Sequence, residues 1–270
     1  MSSIACCSGS VDKGTPLGTI ETIAGHSVYI GSPVPADQRN LVIIATDVFG
    51  YTLPNVRLIA DKFASKGYFC VVPDLFKGSE PPADLMDDLE ALSAKGSGIR
   101  AKMTGVGRLL WHFPGFILRN NDKMGMDIIE AVVADLRATR GVQKIALQGY
   151  CWGGNIGIKL AQKDGVLDVA SVAHPGGNLA IPQDFDKVVK PIYVALAETD
   201  NQINASQCEL IKASLEKRSK ELGIMQKVEW FLGVEHGFAV RGKESDSHVN
   251  SQRERAFEDA LAFIQKALSL

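Results

Sequence analysis

An open α/β fold is what this sequence predicts: a mostly parallel central sheet, helices on both faces, and a β-hairpin at the N-terminus. Three observations predict it. Short continuous apolar runs recur, such as Leu41-Val-Ile-Ile-Ala-Thr46 and Tyr68-Phe-Cys-Val-Val72. A strand buried on both faces needs such a run, whereas a strand with one wet face alternates. Segments of helical period separate these runs, and strands alternating with helices pair in parallel. Finally, the run ending at Gln148 enters Gly149-Tyr-Cys-Trp-Gly153, and a helical pattern leaves it. That is a strand, a sharp turn and a helix in immediate succession.

Each element has its own signal. Residues 19–31 alternate and break at Ala24-Gly25, which predicts a hairpin. The strand at 41–46 is followed by helical periodicity over 55–66, stopped at Gly67 by the C-cap rule. The strand at 68–72 ends at Pro73-Asp74. Residues 78–121 hold glycine, proline, serine, acidic residues and an aromatic patch of Trp111, Phe113 and Phe116. They read as an excursion from the sheet, partly helical around 84–94. A helix over 126–139 presents Ile128, Ile129, Val132, Val133 and Leu136 on one side. Then come a strand at 144–148, a helix at 155–162, and strands at 169–173 and 192–196. A helix at 206–222 stops at Gly223, a strand follows at 228–232, and a last helix covers 250–268. The organisation expected is a tail over 1–18 and a single domain over 19–270.

Composition excludes several classes. The 270 residues carry a formal net charge of −2, with no basic footprint for nucleic acid or an anionic membrane. No apolar run approaches the roughly 20 residues of a membrane span. The first residues lack a signal-peptide pattern. Five cysteines without framework spacing suit free thiols in a reducing compartment, so a cytoplasmic location is expected. Cys6-Cys7 has no matching pair elsewhere, so no metal is expected.

In an open α/β sheet the chemistry gathers at the carboxyl ends of the strands. Cys151 stands at the sharp turn, Asp200 follows a later strand, and His236 follows the last. Nucleophile, acid, histidine is the chain order of an α/β-hydrolase triad. The thiolate is the reactive form of cysteine, so His236 would take the proton of Cys151 and return one to the leaving group. Asp200 would hold the imidazole in one tautomer. The backbone N–H groups of Trp152, directly after the nucleophile, and Val48, after an early strand, would stabilise an oxyanion. Gly149 and Gly153 keep the turn clear of its neighbours. Competing readings exist: Cys151 as a buried structural thiol, Asp200 as a helix cap, Glu198 as a rival acid, and His174 as a rival histidine.

Four segments together, Gly149-Tyr-Cys-Trp-Gly-Gly154, Pro73-Asp-Leu-Phe76, Asp47-Val-Phe-Gly50 and His236-Gly-Phe-Ala-Val-Arg241, resemble the dienelactone hydrolase (carboxymethylenebutenolidase) family. The likeness runs from about residue 19 to the end. It implies a single-domain α/β-hydrolase that opens a cyclic enol-lactone with a cysteine nucleophile and no cofactor. It carries the triad onto Cys151, Asp200 and His236, and the oxyanion donors onto Val48 and Trp152. Arg241 matches an arginine that binds the substrate carboxylate. Asp47 stands where bacterial members carry a thiol-activating glutamate, and Lys77 lies near the place of their second carboxylate-binding arginine. Phe49 and Tyr150 complete the expected substrate-binding or thiol-activating set. The resulting expectation is a cysteine hydrolase of a small, anionic ester or lactone, a monomer or weak homodimer without membrane or nucleic-acid partners. A thioesterase or general carboxylesterase, a non-catalytic ligand binder of the same fold, and a redox-sensing thiol are the alternatives.

Overall fold

Strands β1 (Thr19–Ile23) and β2 (His26–Ile30) make the expected hairpin. Ala24 and Gly25 between them both have positive φ, 51° and 79°, the turn whose twist matches that of the strands. This computed structural model describes residues 9–86, 88, 99–243 and 245–269. After the hairpin come β3 (Asn40–Ala45), α1 (Pro54–Ser65) and β4 (Phe69–Pro73). Proline opens α1, where its missing N–H costs nothing. Next are α2 (Ile99–Arg119), α3 (Asp122–Arg140), β5 (Lys144–Tyr150), α4 (Trp152–Leu160) and β6 (Val169–Ala173). The chain finishes with β7 (Ile192–Thr199), α5 (Ala205–Leu222), β8 (Gln226–Glu235), the single turn α6 (Phe238–Arg241) and α7 (Ser247–Leu268).

All eight strands join one sheet in the order β1-β2-β4-β3-β5-β6-β7-β8. The hairpin adds to β4 antiparallel, and every pairing from β4 to β8 is parallel. Apolar runs therefore occupy the centre: every residue of β4 and β6 is buried. Side chains alternate across the sheet, so neighbouring residues serve opposite layers. Leu147 faces α4, where a Cβ on Gly157 would come within 2.6 Å of it. Gln148 and Tyr150 instead line a cavity with Leu58 and Ile59 of α1 and Ala256 and Phe257 of α7. Helices thus cover both faces, as expected.

One expectation needs correcting. The excursion over 78–121 contains α2, a 21-residue helix. Gly105, Gly107, Gly115 and an interior Pro114 weaken its local propensity, so periodicity alone under-reads it. Of the helix expected around 84–94, Leu85, Met86 and Asp88 are helical, Asp84 lies in a turn, and residues 87 and 89–94 lie outside the described residues. Cys6 and Cys7 also lie outside them. The stretch from residue 9 to 18 forms no helix but is tied down. Asp12 is buried and paired with Arg253, and the Ser10 N–H donates to the Arg241 carbonyl.

Candidate active site

Cys151 sits where β5 becomes α4, with φ 51° and ψ −116°. A residue with a Cβ rarely takes positive φ, so surrounding contacts must hold it there. They are present. Its N–H donates to the Ala173 carbonyl at 3.3 Å, and its own carbonyl accepts from Gly154, Asn155 and Gly176. The flanking glycines are dictated by backbone contacts: a Cβ on Gly149 would lie 2.5 Å from the Gly153 carbonyl oxygen, and one on Gly153 would lie 2.1 Å from that of Ala45. Gly154 meets the loop after β6 instead, 3.0 Å from Pro175. The Gly153 N–H goes to the Thr46 carbonyl. Among the described residues the N–H groups on either side of Trp152 are therefore spent closing the turn. That of Trp152 heads the first turn of α4, where the helix dipole favours negative charge.

Asp200 follows β7 and His236 follows β8. Asp200 Oδ2 lies 2.8 Å from His236 Nδ1, and both side chains are buried. A carboxylate only accepts, so Nδ1 carries the hydrogen and Nε2 is left as the acceptor. Gln202, which the sequence reading passed over, touches that nitrogen at 3.2 Å through Nε2. Its Oε1 accepts from the Gly177 N–H at 2.9 Å, which fixes the amide's orientation. Residue 176 donates to the Cys151 carbonyl, so Cys151 and His236 flank one Gly176-Gly177 loop. The rival acid, Glu198, accepts instead from the Gly233 N–H on the adjacent strand. Asp200 Oδ1 also accepts from the Gln202 N–H, so its two oxygens divide a turn role and a histidine role.

His174, the rival histidine, is fully buried at the end of β6 with φ 37°. Its ring packs edge-on against His236, centroids 4.9 Å apart, and lies between Tyr150 and Phe238. Neither ring nitrogen has a hydrogen-bond partner among the described residues. Burial, then the nearby His236 and Arg241, hold its pKa well below the usual 6.5, so it is neutral. The unfolded chain protonates first as pH falls, so this contribution to stability is present above about pH 6.5 and lost below it. Urea unfolding between pH 7.5 and 5.5 should therefore lose up to about 1.4 kcal/mol per pH unit to this ring. His174→Phe should flatten that slope; an equal slope in both proteins would show that the ring is not its source.

The arginine reached by resemblance is not on the surface. Arg241 and Asp47 are both fully buried, with Nε donating to Asp47 Oδ2 at 2.6 Å. The guanidinium also lies over the Phe49 ring, 5.1 Å from its centroid. Asp47 Oδ1 accepts from the Phe49 N–H, which shapes the turn carrying Val48. Tyr150 is buried beside His174. Lys77 is exposed, at φ 52°, with its N–H on Asp74. The Trp152 ring packs on Phe76 at 4.9 Å and over α3, where Gly125 leaves it room: a Cβ there would lie 2.5 Å from the indole. Among the described residues no group of three His, Cys, Asp or Glu side chains is placed to hold a metal ion. No described helix is long and apolar enough to cross a membrane.

Comparison with known proteins places these features. The sequence profile of the Dienelactone hydrolase family matches residues 27–268. Hydrolase pyvD of Aspergillus violaceofuscus is 27% identical over 97% of this chain and 96% of its own length. The human carboxymethylenebutenolidase homolog is 28% identical over 79% and 76%. Among solved structures, a putative dienelactone hydrolase from Klebsiella pneumoniae superposes with a TM-score of 0.70. That match covers 93% of this chain and 99% of the other at 14% identity, a likeness of fold.

Proposed function

Because the chain belongs to the dienelactone hydrolase family, we propose that it cleaves a small ester or lactone bearing a carboxylate, with Cys151 as nucleophile. The observation that carries this reading is the buried His236–Asp200 pair beside the loop that also binds the Cys151 carbonyl. In the proposed reaction His236 Nε2 takes the thiol proton and the sulfur attacks the carbonyl carbon. The N–H groups of Val48 and Trp152 receive the oxyanion. The imidazolium returns the proton to the leaving oxygen, and water releases the acid from the thioester. The reaction so written uses only groups of the chain and water.

The anionic preference rests on Arg241, a planar fork suited to carboxylates. Its pairing with Asp47 means that a substrate carboxylate must compete for the guanidinium. A lactone carrying a free carboxylate should therefore be processed at least about tenfold better than its methyl ester, the size of one charge-assisted hydrogen bond. Rapid-quench mass spectrometry on the preferred substrate should find acyl mass on the peptide holding Cys151. Turnover with that peptide unmodified at every time point would reject covalent catalysis, and equal rates on acid and methyl ester would reject the anionic substrate.

A further inference from the structure

The base nitrogen of the site is already engaged. His236 Nδ1 gives its hydrogen to Asp200, and Nε2, the nitrogen left to accept, sits 3.2 Å from Gln202 Nε2. A neutral imidazole has one accepting lone pair. While the amide donates to it, that lone pair is not open to a thiol proton. The contact is also directional. Gln202 Oε1 accepts from the Gly177 N–H at 2.9 Å, so the nitrogen end of the amide is the one that faces the ring. Turned over, the amide would set its own N–H group against the Gly177 N–H, donor against donor. It does not follow the proton by flipping.

A second observation shows that the chain keeps space for this arrangement. Gly176 has no positive φ, so its backbone conformation does not require glycine. Space does. A Cβ at residue 176 would lie 2.5 Å from Gln202 Oε1 and 2.8 Å from its Nε2. The amide therefore rests where a side chain on residue 176 would be. Asp200 holds both partners: Oδ2 orients the imidazole, and Oδ1 accepts the Gln202 backbone N–H at 2.8 Å.

Resting on the reading of Cys151 as nucleophile and His236 as its base, we propose that Gln202 is a positioning residue that keeps the resting site as thiol and neutral imidazole until an entering substrate displaces the amide. An N–H dipole aimed at Nε2 favours the neutral ring, whereas an imidazolium would meet it head-on. Oxidants and alkylating agents attack the thiolate, so the resting cysteine is protected. Cys151 and His236 are buried and Gln202 is half-buried, so the amide is the part of the cluster with room to leave.

The pH dependence of Cys151 alkylation tests this. The thiolate sulfur displaces iodide from iodoacetamide, and mass spectrometry of the peptide holding Cys151 separates this thiol from the other cysteines. Gln202→Met keeps the reach of the side chain and removes the donor. It should move the midpoint of the rate profile down by about 0.5–1 pH unit, the size of one neutral hydrogen bond, with the high-pH plateau unchanged. Gly176→Ala pushes the amide away from behind and should give the same shift. The two together should give no more than either alone. Among the described residues, the titratable or charged groups around the ring are Asp200, His174 and the Arg241 guanidinium beside Gly237, and all are the same in the four proteins. A merely structural role would raise the plateau through easier access and leave the midpoint in place, and that result overturns the proposal. So does a double variant whose shift is the sum of the two. The two readings fail separately. Lactone hydrolysis that survives complete alkylation of Cys151 removes the nucleophile. Hydrolysis lost on alkylation, with both midpoints unmoved, removes the role of Gln202 alone.

Discussion

Replacing Cys151 with alanine is expected to lower kcat for lactone and ester hydrolysis by about four to six orders of magnitude, as removal of a nucleophile does elsewhere. The fold should persist. Cys151 is only 3% exposed, but deleting one small buried atom costs about 1 kcal/mol. What survives would come from the N–H groups of Val48 and Trp152 and from substrate positioning. Cys151→Gly sharpens the test. Glycine accepts φ 51° without strain, so this variant should be about 1–2 kcal/mol more stable than Cys151→Ala while remaining equally inactive. Activity lost while stability rises marks strain kept for chemistry. Alanine and wild-type proteins hydrolysing a p-nitrophenyl ester and lactone panel at one rate would remove Cys151 from the reaction.

The largest stability effect is expected at Arg241. Arg241→Met leaves the Asp47 carboxylate fully buried without its partner, at a cost of about 3–5 kcal/mol. Asp47→Asn removes the carboxylate to which Arg241 Nε donates and should also destabilise the fold. The double variant should lose less than the sum, because the two side chains share one ion pair that either single change already breaks. Urea unfolding of the four proteins gives the coupling directly, and strictly additive losses would show that the pair does not act as a unit. Kinetics should separate two roles. Where Arg241→Met still folds, KM should rise more for carboxylate-bearing substrates than for neutral ones. Asp47→Asn should lower kcat on both, because Asp47 shapes the turn that presents the Val48 N–H.

The path from sequence to site was uneven. The turn at Cys151 could be read from Gly149 and Gly153, because their absent side chains answer backbone contacts within one strand–turn–helix unit and with the adjacent strand. The placement of Asp200 and His236 followed from chain order, because parallel strands all deliver their ends to one edge. Gln202 gave no signal: it is a polar residue two positions past an aspartate, and its partners lie 25 and 34 residues away. His174 ended a strand in either reading, but its packing on His236 depends on how β6 and β8 sit around β7.

Sequence alone determined the α/β architecture, the hairpin, the family likeness and the positions at the carboxyl ends of the strands. Each of these is written in local period, turn chemistry or order along the chain. Only the tertiary structure decided that Arg241 is sealed against Asp47, 194 residues away, and that α2 turns an apolar face outward. Period tells that a side chain prefers to leave water; it does not tell what will cover it. That depends on contacts between distant segments, which exist only once the chain has closed on itself.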